Sequence, residues 1–204
     1  LQDNKAAVAL FEYTYLGGLI LNYSQYKYMP AIVLGVCGSV AAVRVPELAR
    51  ELSRRNFSVH CAMSEAAKGI INPNVLEWAS QNRVITALSG MVEHVQLLGV
   101  GGKADLLLIC PATSNTISKI ACGIDDTTIT TMAATALGSG KKIIIVPAMH
   151  ISMYDNPFVK ENIEKLKKTG VIFVGPNREG DKAKIADEED IVRAVEKALK
   201  NAKK

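Results

Sequence analysis

An unbroken apolar run, Leu106 to Cys110, leads straight into Pro111 and then into Thr113, Ser114, Asn115 and Thr116, after which a helical pattern begins at once. A short run without polar alternation reads as a strand of a parallel sheet covered on both faces. The polar cluster then lies where the next helix opens, which in such a sheet is the crevice that receives ligands. One polar side chain there is the ordinary cap of the following helix, and Ser114 or Asn115 fits that role. Four polar residues in a row exceed what one cap requires.

The same alternation of strand and helix signals recurs from Ala31 onward. Ala31 to Val36 is a short apolar run, and GVCGSVAA turns it into a helix with Val45, Leu48 and Leu52 on one face. Arg44, Glu47, Arg50, Arg54 and Arg55 make its wet face, and Pro46, too far in for a first turn, predicts a kink. Phe57 to Met63 reads as the second strand, with Ser64 capping the next helix. Between Asn72 and Gly102 the spacing predicts a short helix from Pro73 through Trp78 and a minor strand from Val84 to Leu88. Gly123 stops the helix after the central strand, and a threonine- and alanine-rich helix follows from Asp126 to Leu137. Ile143 to Val146 is the fourth main strand. Asn156 and Pro157 start a helix carrying Phe158, Ile163 and Leu166, closed by Gly170. Val171 to Val174 is the fifth strand, and Asp187 opens a last helix whose face is Ile191, Val195 and Leu199. Repeated units of this kind predict one α/β domain, Rossmann-like or flavodoxin-like, with a mostly parallel sheet and helices on both faces.

A chain of 204 residues suits one such domain, and 49% hydrophobic with 22% charged residues is ordinary for a soluble globular protein. The formal charge of +4 gathers at the tail, at Lys197, Lys200, Lys203 and Lys204, with no basic stripe interleaved with aromatic residues, so nucleic acid is not an expected partner. Cys37, Cys61, Cys110 and Cys122 have neither metal-type spacing nor the density of a disulfide scaffold. Three of them lie in or beside apolar runs, which suits small buried hydrophobes in a reducing compartment and favours the cytoplasm and no metal. Residues 1–30 stand apart as an atypical N-terminal extension, leaving 31–204 as the domain. Five of the six tyrosines fall before Met29, and the apolar portion Ala6 to Leu21 is interrupted by Glu12 and Gly17-Gly18. That portion is too short and polar for a membrane span and lacks the marks of a signal peptide. It reads as an added packing element, a partner-binding arm, or sequence ahead of a natural start at Met29.

Three strand ends carry glycine or polar chemistry: Gly35 to Ser39, Pro111 to Thr116, and Pro147 to Met153. Glycines at the first allow backbone amides close to a phosphate at a helix amino terminus, though such turns also occur for packing. The spacing is G-x-x-G-S, and no convincing acidic residue stands at the end of the second strand to bind a ribose, so a mononucleotide fits better than a dinucleotide.

GVCGSVAAVRVPEL, then His94, then ADLLLICPATSNTISKIACGIDD, then PAMHISM resemble in order and spacing the flavin-dependent cysteine decarboxylases. The likeness is strongest to the branch that converts phosphopantothenoylcysteine to phosphopantetheine in coenzyme A biosynthesis. PATSNT resembles the family's PASANT motif and PAMHISM its PxMNxxM motif, and the likeness spans about Ala31 to the C-terminus. The resemblance implies FMN as cofactor, held by Gly38, Ser39 and Val40 at its phosphate, by Ser64 near the ribityl chain, and by Thr113. It implies His94 as the catalytic base, Asn115 on the substrate carboxylate, and His150 and Met153 on the substrate side. It also implies a homotrimer or a multiple of trimers, and a phosphopantothenate-cysteine ligase as a separate partner of a chain that is the decarboxylase alone. In the implied chemistry FMN oxidises the thiol carbon, carbon dioxide leaves to give an enethiol, and reduced FMN returns the electrons.

Two positions depart from the family pattern. His150 stands where the family usually has asparagine, and GPNREGDKAKIAD lacks the cysteine of the family's mobile flap, so either Lys182, Lys184 or a water supplies the last proton or the reaction stops at an earlier step. Plainer roles exist for each residue: His60 in a strand and His94 on a helix face as structural histidines, Met149 and Met153 as core, Asp125 and Asp126 as solvated caps. Other functions also fit the fold, namely an FMN-binding reductase, a prenyltransferase-type flavoprotein, or a non-catalytic regulatory subunit.

Overall fold

A computed structural model describes residues 28–200. Most of the N-terminal extension and the lysines at 203 and 204 lie outside them.

The centre is a five-stranded parallel sheet in the order β2-β1-β3-β4-β6, with β1 Ala31–Val36, β2 Ser58–Met63, β3 Leu106–Ala112, β4 Lys142–Pro147 and β6 Ile172–Phe173. Every residue of β1 and β3 is buried, because helices cover both faces and no position in these strands looks at water. Alternation divides them. Ile32, Leu34, Leu106 and Leu108 pack with Val45, Leu48 and Leu52 of α1 (Val45–Arg54) and with Ile191, Val195 and Leu199 of α9 (Glu188–Lys200). Val33, Leu107 and Ile109 face the other way, onto α5 (Ser114–Ala121), α6 (Thr128–Gly138) and α8 (Pro157–Lys168). Burying each such leucine or isoleucine contributes about 1.5–3 kcal/mol.

Several local expectations shift for identifiable reasons. The segment after β1 begins with a 3-10 turn, Val40–Arg44, and α1 starts only at Val45, so Pro46 falls in its first turn and causes no kink. The strand expected over Val84–Leu88 reduces to a single bridge, Ala62 to Ile85. In α8 the inward row is Val159, Ile163 and Leu166, one face of the helix, and Phe158 is 74% exposed. The helix expected from Pro73 is α3 (Pro73–Ser80), capped by Asn72. Gly123 follows α5 with φ of 71°, the left-handed stop its position suggested.

A second, three-stranded antiparallel sheet in the order β5-β8-β7 has no counterpart in the sequence reading. It joins β5 (Met149–His150) to a hairpin of β7 (Asn177–Glu179) and β8 (Lys182–Lys184). Gly180 and Asp181 form its two-residue loop, with Gly180 at φ of 57°. That pair is a hairpin signal, passed over because the flanking strands are polar and only three residues long.

Candidate functional site

The carboxyl ends of four neighbouring strands are laced together. Ser64 N–H donates to Val36 O at 3.0 Å, Cys37 N–H to Pro111 O at 3.2 Å, and Ala148 N–H to Ala112 O at 3.0 Å. Three of those ends turn into helices through a hydroxyl residue with extended backbone, which is the geometry an N-cap needs. Ser39 accepts from Ala41 N–H at 3.4 Å, Ser64 from Ala67 N–H at 3.3 Å at the start of α2 (Glu65–Lys68), and Thr113 from Thr116 N–H at 3.3 Å.

Neither Ser114 nor Asn115 caps α5. Thr113 does so, and it also meets the buried Thr116 hydroxyl at 3.1 Å. Asn115 is thereby released: it is exposed, on the first turn of α5, with no hydrogen-bond partner among the described residues. Beneath them lies Cys37, whose thiol burial pushes up to about 11, against opposing hydrogen bonds from Thr116 and the Thr113 backbone. A thiol held neutral in this way is packing, not a nucleophile. Thr116 and Cys37 went unnoticed as a buried polar pair because nothing in their spacing marks it.

Gly38 has a steric reason of its own. A Cβ there would stand 2.5 Å from Ala66 Cβ, so the turn after β1 and the first turn of α2 touch without room for a side chain. Val40, next to Ser39, is 77% exposed.

His94 is the second residue of α4 (Glu93–Leu98), a short helix that packs on α6. It is half-buried, and its Nδ1 is buried with no hydrogen-bond partner. Its Nε2 is the nitrogen left open. No hydrogen bond among the described residues joins His94 to Thr113, Asn115 or His150.

At the end of β4, Met149 and Met153 part company: Met149 packs against the core, and Met153 in α7 (Ile151–Tyr154) is 47% exposed. His150 caps α7 as an asparagine would. Its Nδ1 accepts from Ser152 N–H at 3.2 Å and lies 2.7 Å from Ser152 Oγ, while Nε2 is 3.5 Å from Asp181 of the hairpin loop. Arg178 ties the hairpin down further, reaching Asp155 at 2.8 Å and lying over the Tyr154 ring at 5.6 Å, and Lys160 meets the same carboxylate at 3.0 Å. These two cations hold the Asp155 carboxyl below its ordinary value, Lys160 first. Lys184 pairs with Glu179 across the hairpin.

A cavity of about 570 Å³ lies elsewhere, between β6 and α9, lined by Phe173, Ala194 and Lys197 among others, and holds none of these candidate residues. Among the described residues no cluster of histidine, cysteine and carboxylate could hold a metal ion, and no helix is long and apolar enough to cross a membrane.

The family model described as "Flavoprotein" matches residues 20–200. The chain belongs to the flavoprotein family. This flavoprotein is 56% identical over 169 residues to the coenzyme A biosynthesis bifunctional protein CoaBC of Thermococcus kodakarensis, a match covering 82% of the chain and 42% of that protein. The chain therefore spans about two fifths of that relative. A relative from Streptococcus mutans serotype c, named "Probable phosphopantothenoylcysteine decarboxylase", is 32% identical over 82% of this chain and 98% of its own length. Among solved structures, the FMN-dependent cysteine decarboxylase SpaF superposes with a TM-score of 0.68 at 27% identity, covering 81% of this chain and 97% of that one.

Family membership implies a flavin, and the strand-end cluster fits one. Three hydroxyl caps at adjoining strand ends, a helix amino terminus at α5, and a turn with no side chain at Gly38 suit the phosphate and polyol of a flavin nucleotide. Buried neutral Cys37 offers no competing charge beneath them.

Proposed function

We propose that this chain is an FMN-dependent decarboxylase that converts 4'-phosphopantothenoylcysteine to 4'-phosphopantetheine. The observation that carries the reading is the division of labour at the end of β3. Thr113 does the capping, and the Asn115 amide is left unpartnered at the mouth of the strand-end crevice. With neither its oxygen nor its amino group engaged, that amide is free to turn its N–H donors toward a carboxylate.

When bound, a flavin supplies the two-electron sink that a cysteine carboxylate lacks, which makes loss of carbon dioxide feasible. The chain's own residues bind, orient and protonate. Ser39 and the backbone at Gly38 and Val40 would hold the cofactor phosphate, and Ser64 and Thr113 would hold the rest of the flavin nucleotide. The Asn115 amide donates to the substrate carboxylate without adding a positive charge that would stabilise it against loss. His94 moves a proton at Nε2, its Nδ1 being sealed off. Met153 offers an exposed apolar contact to the substrate. His150 reaches the substrate only by giving up Asp181 at Nε2, since its Nδ1 is occupied by the cap. Assembly into a homotrimer or a multiple of trimers in the cytoplasm, with a ligase as separate partner, belongs to the same proposal.

A second reading ends at the enethiol, and the hairpin favours it: Asn177 to Lys184 carries no thiol to deliver a last proton. The purified protein is expected to be yellow with bound FMN. His94→Asn should keep the flavin and release no carbon dioxide from phosphopantothenoylcysteine, and normal turnover in that variant sinks the role given to His94. The mass of the wild-type product separates phosphopantetheine from the enethiol, two mass units lighter by loss of two hydrogens.

A further inference from the structure

The turn into α4 lacks a side-chain cap, as does that into α1 at Arg44, but Arg44 has right-handed backbone and the α4 cap does not. Ser64, Thr113, Thr127 and Asn156 cap their helices with their own side chains, whereas Val92 at the N-cap of α4 has none to offer. Val92 also sits at φ 49°, ψ 48°, in the left-handed region. A β-branched residue there is an outlier that persists only where its surroundings over-determine it, and such outliers gather at functional sites.

The over-determination is visible. The Glu93 carboxylate turns back to accept from Ser89 N–H at 2.9 Å and from the Ser89 hydroxyl at 2.5 Å. Val92 N–H donates to Ser89 O at 3.0 Å, Met91 N–H to Ser89 Oγ at 3.1 Å, and the Gln96 amide to Met91 O at 2.8 Å. The loop is closed on itself from Ser89 to Gln96. His94 is the next residue after Glu93, and its Nδ1 is buried without a partner. A buried, unsatisfied ring nitrogen is unfavourable and is not where an unconstrained imidazole would settle.

We propose that Glu93 is a positioning residue for His94: by clamping Ser89 it holds Val92 left-handed and seats the imidazole with Nδ1 sealed and Nε2 presented to the ligand. The inference rests on the reading of His94 as the proton-transfer group. The Ser89 bonds hold the Glu93 carboxyl below its ordinary value, so the clamp is charged and intact at neutral pH. In the sequence MVEHVQLL, Glu93 passes for a solvated helix residue.

The test uses Glu93→Ala and the milder Ser89→Ala, with Val92→Pro forbidding the left-handed turn and Val92→Gly allowing it. His94→Asn is the control. Two quantities are read on the flavin-bound protein: kcat and KM for phosphopantothenoylcysteine, and, without substrate, the rate at which diethyl pyrocarbonate modifies His94, followed by peptide mass. Displacing a catalytic group by about 1 Å costs on the order of 100-fold, so kcat should fall by that much in Glu93→Ala and Val92→Pro with KM little changed. His94 should become several-fold more reactive in both, less so in Ser89→Ala, and Val92→Gly should restore the slow modification. If Glu93→Ala and Ser89→Ala leave both kcat and the modification rate at wild-type values while His94→Asn is inactive, the clamp has no positioning role. Turnover by His94→Asn would instead overturn the assignment of His94, and the modification rates would still report whether Glu93 seats the ring.

Discussion

Adding one methyl group at Gly38 tests the strand-end site most directly. The new Cβ would lie 2.5 Å from Ala66 Cβ, 3.1 Å from Ala66 C and 3.3 Å from its Cα. Carbon atoms pack best at about 3.5–4.0 Å, so roughly 1 Å must be absorbed, and two of the three obstacles are backbone. No rotamer change can relieve it. What can yield is α2, a single exposed turn anchored by the Ser64 cap and by Ser64 N–H to Val36 O. Overpacking of this kind costs about 1–3 kcal/mol, and a single-turn surface helix argues for the lower half of that range. For a chain of this size that corresponds to a fall in Tm of about 2–8 °C. Because the yielding element carries Ser64, FMN affinity should fall with stability. Gly35→Ala is the control, since its Cβ meets side-chain atoms alone, those of Ile129 at 3.3 and 3.4 Å and of Ile109 at 3.8 Å, with no backbone in the way. Gly38→Ala combined with Ala66→Gly should recover about half of the loss or more, as contacting residues couple by about 0.5–3 kcal/mol. Differential scanning fluorimetry gives Tm, and quenching of flavin fluorescence gives affinity. Gly38→Ala with unchanged Tm and unchanged affinity would refute the claim that this turn is a close contact on which the flavin site is built.

Thr113→Val should cost about 1 kcal/mol by uncapping α5, and Thr113→Ser should retain the cap and the flavin, both readable by thermal melts and FMN titration. At pH 8 a disulfide reagent should titrate one thiol, Cys122, in the folded protein, and all four once it is unfolded. Burial raises Cys37 to about 11 and Cys61 to about 12, from an ordinary value of 9.0. Their stabilising contribution is therefore complete below pH 9.0 and lost as pH climbs through the raised values, by about 1.4 kcal/mol per pH unit for each thiol. Urea midpoints measured across that range should fall, and less steeply in Cys37→Ala. His150→Leu removes both the α7 cap and the Asp181 contact, so trypsin should cut the hairpin at Arg178 or Lys182 faster than in wild type. His150→Asn, which can still cap, should resist better.

The parallel sheet was legible because its strands are buried on both faces, which forces unbroken apolar runs such as Ala31–Val36 and Leu106–Cys110 that resist other readings. The start of α1 was harder. Periodicity alone continues through Ala41 and Ala42, and nothing local says that the first five residues wind as a 3-10 turn that leaves Pro46 in the first turn of the helix. The hairpin was missed because strands of three residues carry too little pattern, and its attachment depends on Arg178 meeting Asp155, 23 residues away.

At the site, chain order placed Ser39 and Thr113 at strand ends that share one edge of a parallel sheet, whereas His94, on helix α4, was named only through the family resemblance. Which hydroxyl caps α5, and hence which amide is free, is a competition within one turn of helix, settled by the backbone angle of Thr113. Sequence likewise could not show that Cys37 is a neutral thiol under the crevice, because its pKa is set by the depth of burial and by Thr116 from another strand end. Nor could it show Val92 left-handed or Nδ1 of His94 sealed, for both follow from Glu93 folding back on Ser89. Chain order settles which groups can meet. Their protonation, spare hydrogen bonds and strain arise only when packing removes water and fixes the backbone around them.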